Sequence, residues 1–489
     1  MKRIAFSAVA LLSATIAGAG AACSNAIDAN SPVNEAGSGD GSTLLPDGAV
    51  AKSCSLPAPK LSSDALAQNP AQCGQPAYSW LSGDWLGDVT TVGATTTSPG
   101  GASTILIAAS GVTKTGPLLD VAVEQIAYAT QDRGKRIDAT ALVAFPTEGA
   151  AQTSYDTLLV LHGTAGFTDS CAPSNDPSTA PLLAALASLG YIVVAPDYIG
   201  LRGLEGPTGF LHPYLVGEPT AIASLDAVRA AQKLIAARPE AACASGKFVT
   251  IGGSQGGHAA LWVDRLAPYY APELELDGVV ATVPPADLIG ETNRALTQQV
   301  PASENAAAFF AASSDWYGTR NTLSNALLPP LDTEAPDAMA ATCDPSGLFD
   351  GLTLAQTFAA PLLAAAQSDG GVTAASDAPF GCLVSENGIT TTSVARKTAA
   401  AAGYGILFVL GQSDTLVNPP IERAAFQTLC AQGMPLQYLE CAGASHTKTS
   451  TWALPEIVDF TRDRLAGKKP DSAIACQVSA AVTCRGTPQ

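Results

Sequence analysis

The chain reads as an α/β protein, a doubly wound and mostly parallel sheet interrupted by one long, mainly helical insertion. Three observations predict this. Apolar runs recur at 157–163, 191–198, 247–254, 277–285, 404–414 and 436–443, and stretches with helical character separate them. Strands apolar on both faces belong to a sheet covered on both faces, which is the parallel arrangement with crossover helices. The third run passes through Gly252-Gly253-Ser254-Gln255-Gly256 directly into Ala/Leu/Trp-rich sequence, a tight strand-to-helix turn with a serine at its apex. Finally, the rhythm breaks once, from about Ala286 to Ala400, where Ala and Leu abound and no clean buried strand appears.

Taken in order, residues 1–22 place Lys2 and Arg3 before an uncharged apolar run that ends in small residues, the pattern of an export signal. Cys23 follows directly, with Ser24 after it. Small residues before a cysteine resemble a bacterial lipoprotein site, at which Cys23 would carry lipid and tether the chain to a membrane. Gly20 stands where an aliphatic residue is usual, so ordinary cleavage near Ala-Gly-Ala-Ala, with a secreted product, is the alternative. Residues 23–53 are rich in Asn, Asp, Gly, Ser and Pro and read as a flexible tether. The core then runs over 54–285 and 401–489, with 286–400 inserted as a helical cap.

Within the core, the alternating runs of 121–131 and 138–147 flank the charged turn Asp132–Arg136 and predict an antiparallel hairpin. Helices are expected at 180–189, 218–238, 256–267, 419–432 and 455–466. An insertion that leaves the carboxyl edge of the sheet lands above Ser254, where it would wall a substrate site.

Composition narrows the function. A net charge of −18 repels a phosphate backbone and argues against nucleic-acid binding. Past the export signal no apolar run is long enough to span a bilayer. Eleven cysteines are present, and setting Cys23 aside leaves ten, all able to pair in an oxidising compartment. The short spacing of Cys476 and Cys484 predicts one local loop, whereas Cys171, Cys343 and Cys382 are expected to tie distant segments. Cys-x-x-Cys spacing is missing and four histidines are few, so neither a metal nor a cofactor is expected.

A serine hydroxyl is a weak nucleophile and needs a histidine base held by a carboxylate. Of His162, His212, His258 and His446, only His446 follows the final strand, where the chain order Ser, acid, His puts the base. His162 suits the loop lining an oxyanion site, His258 would point along its helix away from the hydroxyl, and His212 sits on a loop that could line the pocket. Asp414, just past the penultimate strand, is the expected acid, with Asp197 and Asp287 in reserve. Gln255, the residue after the serine, would supply one oxyanion N–H, and Gly163 or Thr164 the other.

Gly-Gly-Ser254-Gln-Gly-Gly, His162-Gly-Thr, Cys171-Ala-Pro-Ser, Tyr191-Ile-Val-Val-Ala-Pro-Asp-Tyr-Ile-Gly200, His212-Pro-Tyr, Gly411-Gln-Ser-Asp414 and Ser445-His446 appear together. The combination, from about Leu118 to Cys476, resembles the secretory lipase family of α/β-hydrolases, the fungal lipase A type and its bacterial relatives. That resemblance implies an α/β-hydrolase fold, a Ser254-Asp414-His446 triad, a cap over an acyl pocket, and a small-molecule or lipid ester as substrate. It also implies a Cys171–Cys343 disulfide. The cap is the least matched part.

Other classes remain in view. A prolyl-oligopeptidase-type peptidase shares Gly-Gly-Ser-x-Gly-Gly, but that group favours Tyr where Gln255 stands and carries a large N-terminal domain. An acyltransferase would use the same acyl-enzyme. A tethered binding module could keep the fold without the chemistry.

Overall fold

Nine strands join in a single sheet in a computed structural model, which describes residues 54–65, 73, 76–147, 154–238, 241–344, 346–373, 379–397 and 401–488. The export segment, Cys23 and the tether to residue 53 lie outside the described residues. The strands are β1 (Val89–Ser98), β2 (Val121–Asp132), β3 (Lys135–Pro146), β4 (Ser154–Leu161), β5 (Tyr191–Pro196), β6 (Cys243–Gly253), β7 (Glu275–Thr282), β8 (Gly405–Gly411) and β9 (Leu436–Cys441). Their spatial order is β1-β2-β3-β5-β4-β6-β7-β8-β9. Pairing is antiparallel from β1 to β5 and parallel from there to β9.

Helices α1 (Thr104–Ala109), α2 (Thr179–Ser188), α3 (Gly217–Ala236) and α4 (Gln255–Tyr270) precede β7. Between β7 and β8 come α5 (Leu288–Thr297), α6 (Ala302–Trp316), α7 (Leu331–Ala341), α8 (Ser346–Phe349), α9 (Leu354–Thr357), α10 (Ala360–Ala366) and α11 (Phe380–Asn387). The chain closes with α12 (Pro419–Ala431), α13 (His446–Trp452) and α14 (Leu454–Leu465).

Alternation along the strands explains the layering. Leu159, Ile192, Val194, Phe248, Val279, Ile406 and Phe408 share one apolar cluster with α3, α4 and α12. Their neighbours Leu158, Val193 and Val249 pack with α2, and Val280, Leu407 and Val409 pack with Ile457 and Phe460 of α14. A period of two thus feeds both faces of the sheet, and each fully buried aliphatic or aromatic side chain contributes about 1.5–3 kcal/mol. The helices inserted between β7 and β8 build a core of their own, in which Phe310 meets Phe358 and Phe380 edge-on. Tyr214, Leu215 and Val216, from the loop before α3, join that second core.

Two expectations need correction. β1 has no counterpart among the expected strands: Thr95, Thr96 and Thr97 are exposed at the sheet edge and no residue of the strand is fully buried, so the apolar alternation is weak. Cys476 and Cys484 do not close a local loop. The tail runs beside β9, bridging Gln437 to Ala475 and Cys441 to Val482, so the two cysteines face different partners. Cys430 pairs with Cys476, and Cys441 with Cys484. Long-range ties join Cys54 to Cys243, Cys73 to Cys382 and Cys171 to Cys343.

Candidate active site

Strand β6 delivers Ser254 to the carboxyl edge of the sheet, and α4 begins at the next residue. Ser254 has φ 57° and ψ −121°, a conformation that L residues rarely adopt and that persists only where the surroundings enforce it. Here its N–H donates to the Thr282 carbonyl at 2.9 Å and its carbonyl accepts from the His258 N–H at 3.0 Å. Glycine is required on both sides. A Cβ at Gly252 would strike the Gly256 carbonyl, and one at Gly256 would strike that of Leu161.

Strand β8 ends just before Asp414, whose Oδ1 accepts from the backbone N–H groups of Leu416 at 2.8 Å and Val417 at 3.0 Å. His446 opens α13 after β9. Its Nδ1–H donates to Asp414 Oδ2 at 2.7 Å, and its Nε2 stands 2.9 Å from Ser254 Oγ. With Nδ1 donating, Nε2 carries the lone pair and accepts from the serine hydroxyl. The Asp414 side chain is buried, whereas that of His446 keeps 16% of its surface. Residues 254, 414 and 446 therefore meet in one continuous relay, the arrangement that lets a hydroxyl lose its proton to imidazole as it attacks a carbonyl carbon.

Around the relay, Gln255 is the first residue of α4, and Gly163 abuts the elbow, the place for its missing Cβ lying 3.6 Å from Ser254 Cβ. Thr164 Oγ1 donates to the Tyr214 hydroxyl at 3.2 Å, and Asn305 Nδ2 of α6 donates to the same oxygen at 2.9 Å. A cleft of about 560 Å³ opens beside Ser254 and Gln255, walled by Leu215, Leu288, Ala295, Phe309 and Leu416. Across Asn305 lies a second cavity of about 430 Å³, lined by residues 164–167, Glu304 and Asp344.

The remaining candidates sit elsewhere. His258 points away from Ser254, its Nε2–H donating to the Asn387 carbonyl at 2.7 Å, and burial pushes its pKa down to about 4. His162 stacks on Tyr198 beneath the Gly163 loop, its pKa pushed down to about 4 by burial. His212 does not reach the cleft wall; it lies fully buried behind Gln255, and burial pushes its pKa down to about 3. Asp197 is enclosed by Ser174 and Thr140, which donate to it, and burial raises its pKa to about 6. Asp287 caps α5 by accepting from the Gly290 N–H at 3.0 Å. Neither reserve carboxylate meets His446. Among the described residues no group of three or more His, Cys, Asp or Glu side chains is placed to hold a metal ion. Tyr214, Asn305, Glu291 and Arg294 were not anticipated; the insertion that supplies most of them has no strand-like period from which to place its side chains.

Sheet order and elbow define an α/β-hydrolase fold, with Ser254, His446 and Asp414 in hydrogen-bond contact at its carboxyl edge. The secretory lipase family model matches residues 178–473, more than half of the chain, and the protein belongs to that family. Lipase 7 of Candida albicans is 36% identical over 104 residues, which are 21% of this chain and 22% of that protein, so the match spans about a fifth of the relative's length. Among solved structures, the rice cell wall degrading esterase LipA from Xanthomonas oryzae superposes with a TM-score of 0.61 at 20% identity, covering 78% of this chain and 97% of that one. Lipase A of Candida antarctica in its closed state gives a TM-score of 0.61 at 17% identity over 88% and 89% of the two chains. At those identities the likeness speaks for the fold.

Proposed function

We propose that the protein is a serine carboxylic-ester hydrolase, a lipase or esterase, acting outside the cytoplasm. One observation carries this: the unbroken chain from Ser254 Oγ through His446 to Asp414, at the mouth of an apolar cleft. Ser254 Oγ bonds to the ester carbonyl carbon while its proton passes to His446 Nε2. Asp414 holds the imidazole in the right tautomer and stabilises the imidazolium. The N–H of Gln255, with that of Gly163 or Thr164, receives the oxyanion. Collapse breaks the C–O bond, and His446 returns the proton to the departing alcohol. Water then attacks the acyl-enzyme by the reverse sequence, its proton passing through His446 and back to Ser254 as the acid leaves.

The apolar walls at Leu288, Ala295 and Phe309 suit the acyl part of the ester. In this proposal the helices of 286–400 form a cap. Family membership and five disulfides support an exported location. Those bridges use ten of the eleven cysteines and leave Cys23, consistent with its reading as a lipid-attachment site.

Hydrolysis of p-nitrophenyl esters from acetate to oleate, with Ser254→Ala as blank, tests the proposal. Wild-type turnover that vanishes in the folded variant supports it. Turnover retained by Ser254→Ala, or no turnover and no fluorophosphonate labelling of the wild type, overturns it.

A further inference from the structure

The carboxylate of Asp414 is held by two peptide groups, those joining Thr415 to Leu416 and Leu416 to Val417, whose N–H ends donate to its Oδ1. The carbonyl ends of these same two peptides are bound from the opposite side by one residue of the inserted helices. Arg294 Nη2 donates to the Thr415 carbonyl at 2.6 Å, and Nη1 donates to the Leu416 carbonyl at 3.2 Å. The guanidinium is fixed in turn by Glu291, one turn earlier on α5, whose Oε2 accepts from Nη1 at 2.9 Å. Glu291 Oε1 accepts from the N–H of Asn418 at 2.5 Å, closing the far end of the same segment.

We propose that Arg294, oriented by Glu291, is a positioning residue for Asp414, so that a helix walling the cleft also sets the acid of the relay. The inference rests on the reading of Asp414 as the acid that orients His446. Anchoring the insertion to the core would need only some pair of contacts at this surface. Instead the planar fork spans the two peptides that grip the carboxylate, and a donor on a carbonyl strengthens the N–H at the other end of that peptide. Arg294 and Glu291 are both nearly buried, at 8% and 9% side-chain exposure, so each bond counts for more than it would in water. The charged or titratable groups facing Asp414 are His446 from α13, Arg294 and Glu291 from α5, and beyond Glu291 the buried Glu422 of α12. The helix that carries the fork also contributes Leu288, Thr292 and Ala295 to the cleft, so the acyl chain and the acid lean on one element.

The test compares Arg294→Met, Arg294→Lys and the double variant Glu291→Gln/Arg294→Met with the wild type, using p-nitrophenyl butyrate from pH 5 to 9. Melting curves establish that each variant is folded. The double variant leaves no buried unpaired charge and decides the matter if Arg294→Met does not fold. Expected is a loss of about 10- to 100-fold in kcat with a smaller change in KM. Arg294→Lys falls in between, since an ammonium keeps the charge and loses the fork. In the charge-balanced double variant the acid limb of kcat/KM moves to lower pH, because a displaced carboxylate stabilises the imidazolium less. Asn293→Ala serves as control: on the same helix, Asn293 accepts from the Val372 N–H inside the insertion and makes no bond to the acid segment, so its rate and profile stay those of the wild type. Folded double variants with wild-type kcat and an unmoved acid limb overturn the inference. Asp414→Asn, run in parallel, separates the two ideas. If it too turns over normally, the reading of the acid fails; if it alone is inactive, only the role of Arg294 fails.

Discussion

The side-chain amide of Gln255 donates to Nε2 of His212 across 2.6 Å, and Nδ1 of that ring donates to the Ile199 carbonyl at 2.9 Å. The His212 ring lies parallel to Tyr198, with centroids 5.7 Å apart, and Tyr198 stacks on His162 at 4.0 Å. A column of stacked rings thus runs from the residue after the serine to the strand end before Gly163, joining the two segments that would supply the oxyanion donors.

Replacing His212 by Phe keeps a ring in the column and removes the acceptor. Gln255 Oε1 already lacks a hydrogen-bond partner among the described residues, so the variant leaves both ends of that amide unsatisfied, at a cost of about 1–3 kcal/mol. With Gln255 freed, kcat is expected to drop about tenfold with KM little changed, a fraction of what losing an oxyanion donor outright costs. Steady-state kinetics on a soluble ester, beside a thermal melt, checks both effects.

Asp414→Asn should leave the fold intact, since a carbonyl oxygen can still accept from the Leu416 and Val417 N–H groups. Its NH2 group would face His446 Nδ1 and force the proton to Nε2, which then cannot accept from Ser254. A fall in kcat of about 10³- to 10⁴-fold follows. A loss below tenfold, at unchanged melting temperature, would remove Asp414 from the relay.

Much of this site was legible because its parts are local. Ser254 announces itself through glycines its turn cannot do without, and Asp414 and His446 through strands that end just before them. Crossing order then brings His446 into contact with Ser254, 192 positions away, and with Asp414, 32 positions away. Arg294 and Glu291 could not be placed that way. Their spacing on α5 reads as an ordinary helical ion pair, and their meaning lies in carbonyls more than a hundred residues later. The tail disulfides differ from the sequence expectation for the same kind of reason: closeness in sequence favours Cys476 with Cys484, while alignment of the tail along β9 gives each its own partner.

Cys171 and Cys343, 172 residues apart, join the loop after β4 to the segment after α7. Residues 164–167 and Cys343 line the second cavity together, so this bridge holds the loop after β4, which would supply the second oxyanion donor, against the insertion. Changing both cysteines to Ser is expected to lower stability by about 2–4 kcal/mol through the freed unfolded chain. If the second cavity takes the alcohol part of the ester, the same variant should raise KM for esters with bulky alcohol groups more than for ethyl esters, because that cavity loses a fixed wall. Urea titrations and a KM series over alcohol size measure the two consequences. Equal KM ratios across the series would show the bridge to be structural alone.

His258 offers a clean test of how burial couples to acid stability. It is fully enclosed, its Nε2–H and the Trp262 indole both donating to the Asn387 carbonyl, and it takes no part in the relay. Burial pushes its pKa from 6.5 to about 4, so between those values the unfolded chain binds a proton that the native chain refuses. Stability must therefore fall as pH drops through that window, and His258 accounts for a decrease on the order of 2 kcal/mol between pH 7 and pH 5. His162 and His212 act in the same direction, while Glu218 and Asp197, whose pKa values burial raises to about 7 and about 6, act in the opposite one. The net slope of the wild type is thus uninformative, and the difference between wild type and His258→Gln carries the result. That variant, unable to take up a proton when unfolded, should lose less stability than the wild type on going from pH 7 to pH 5, as read from urea midpoints. Identical losses in the two proteins would mean that His258 gains its proton as easily when folded as when unfolded.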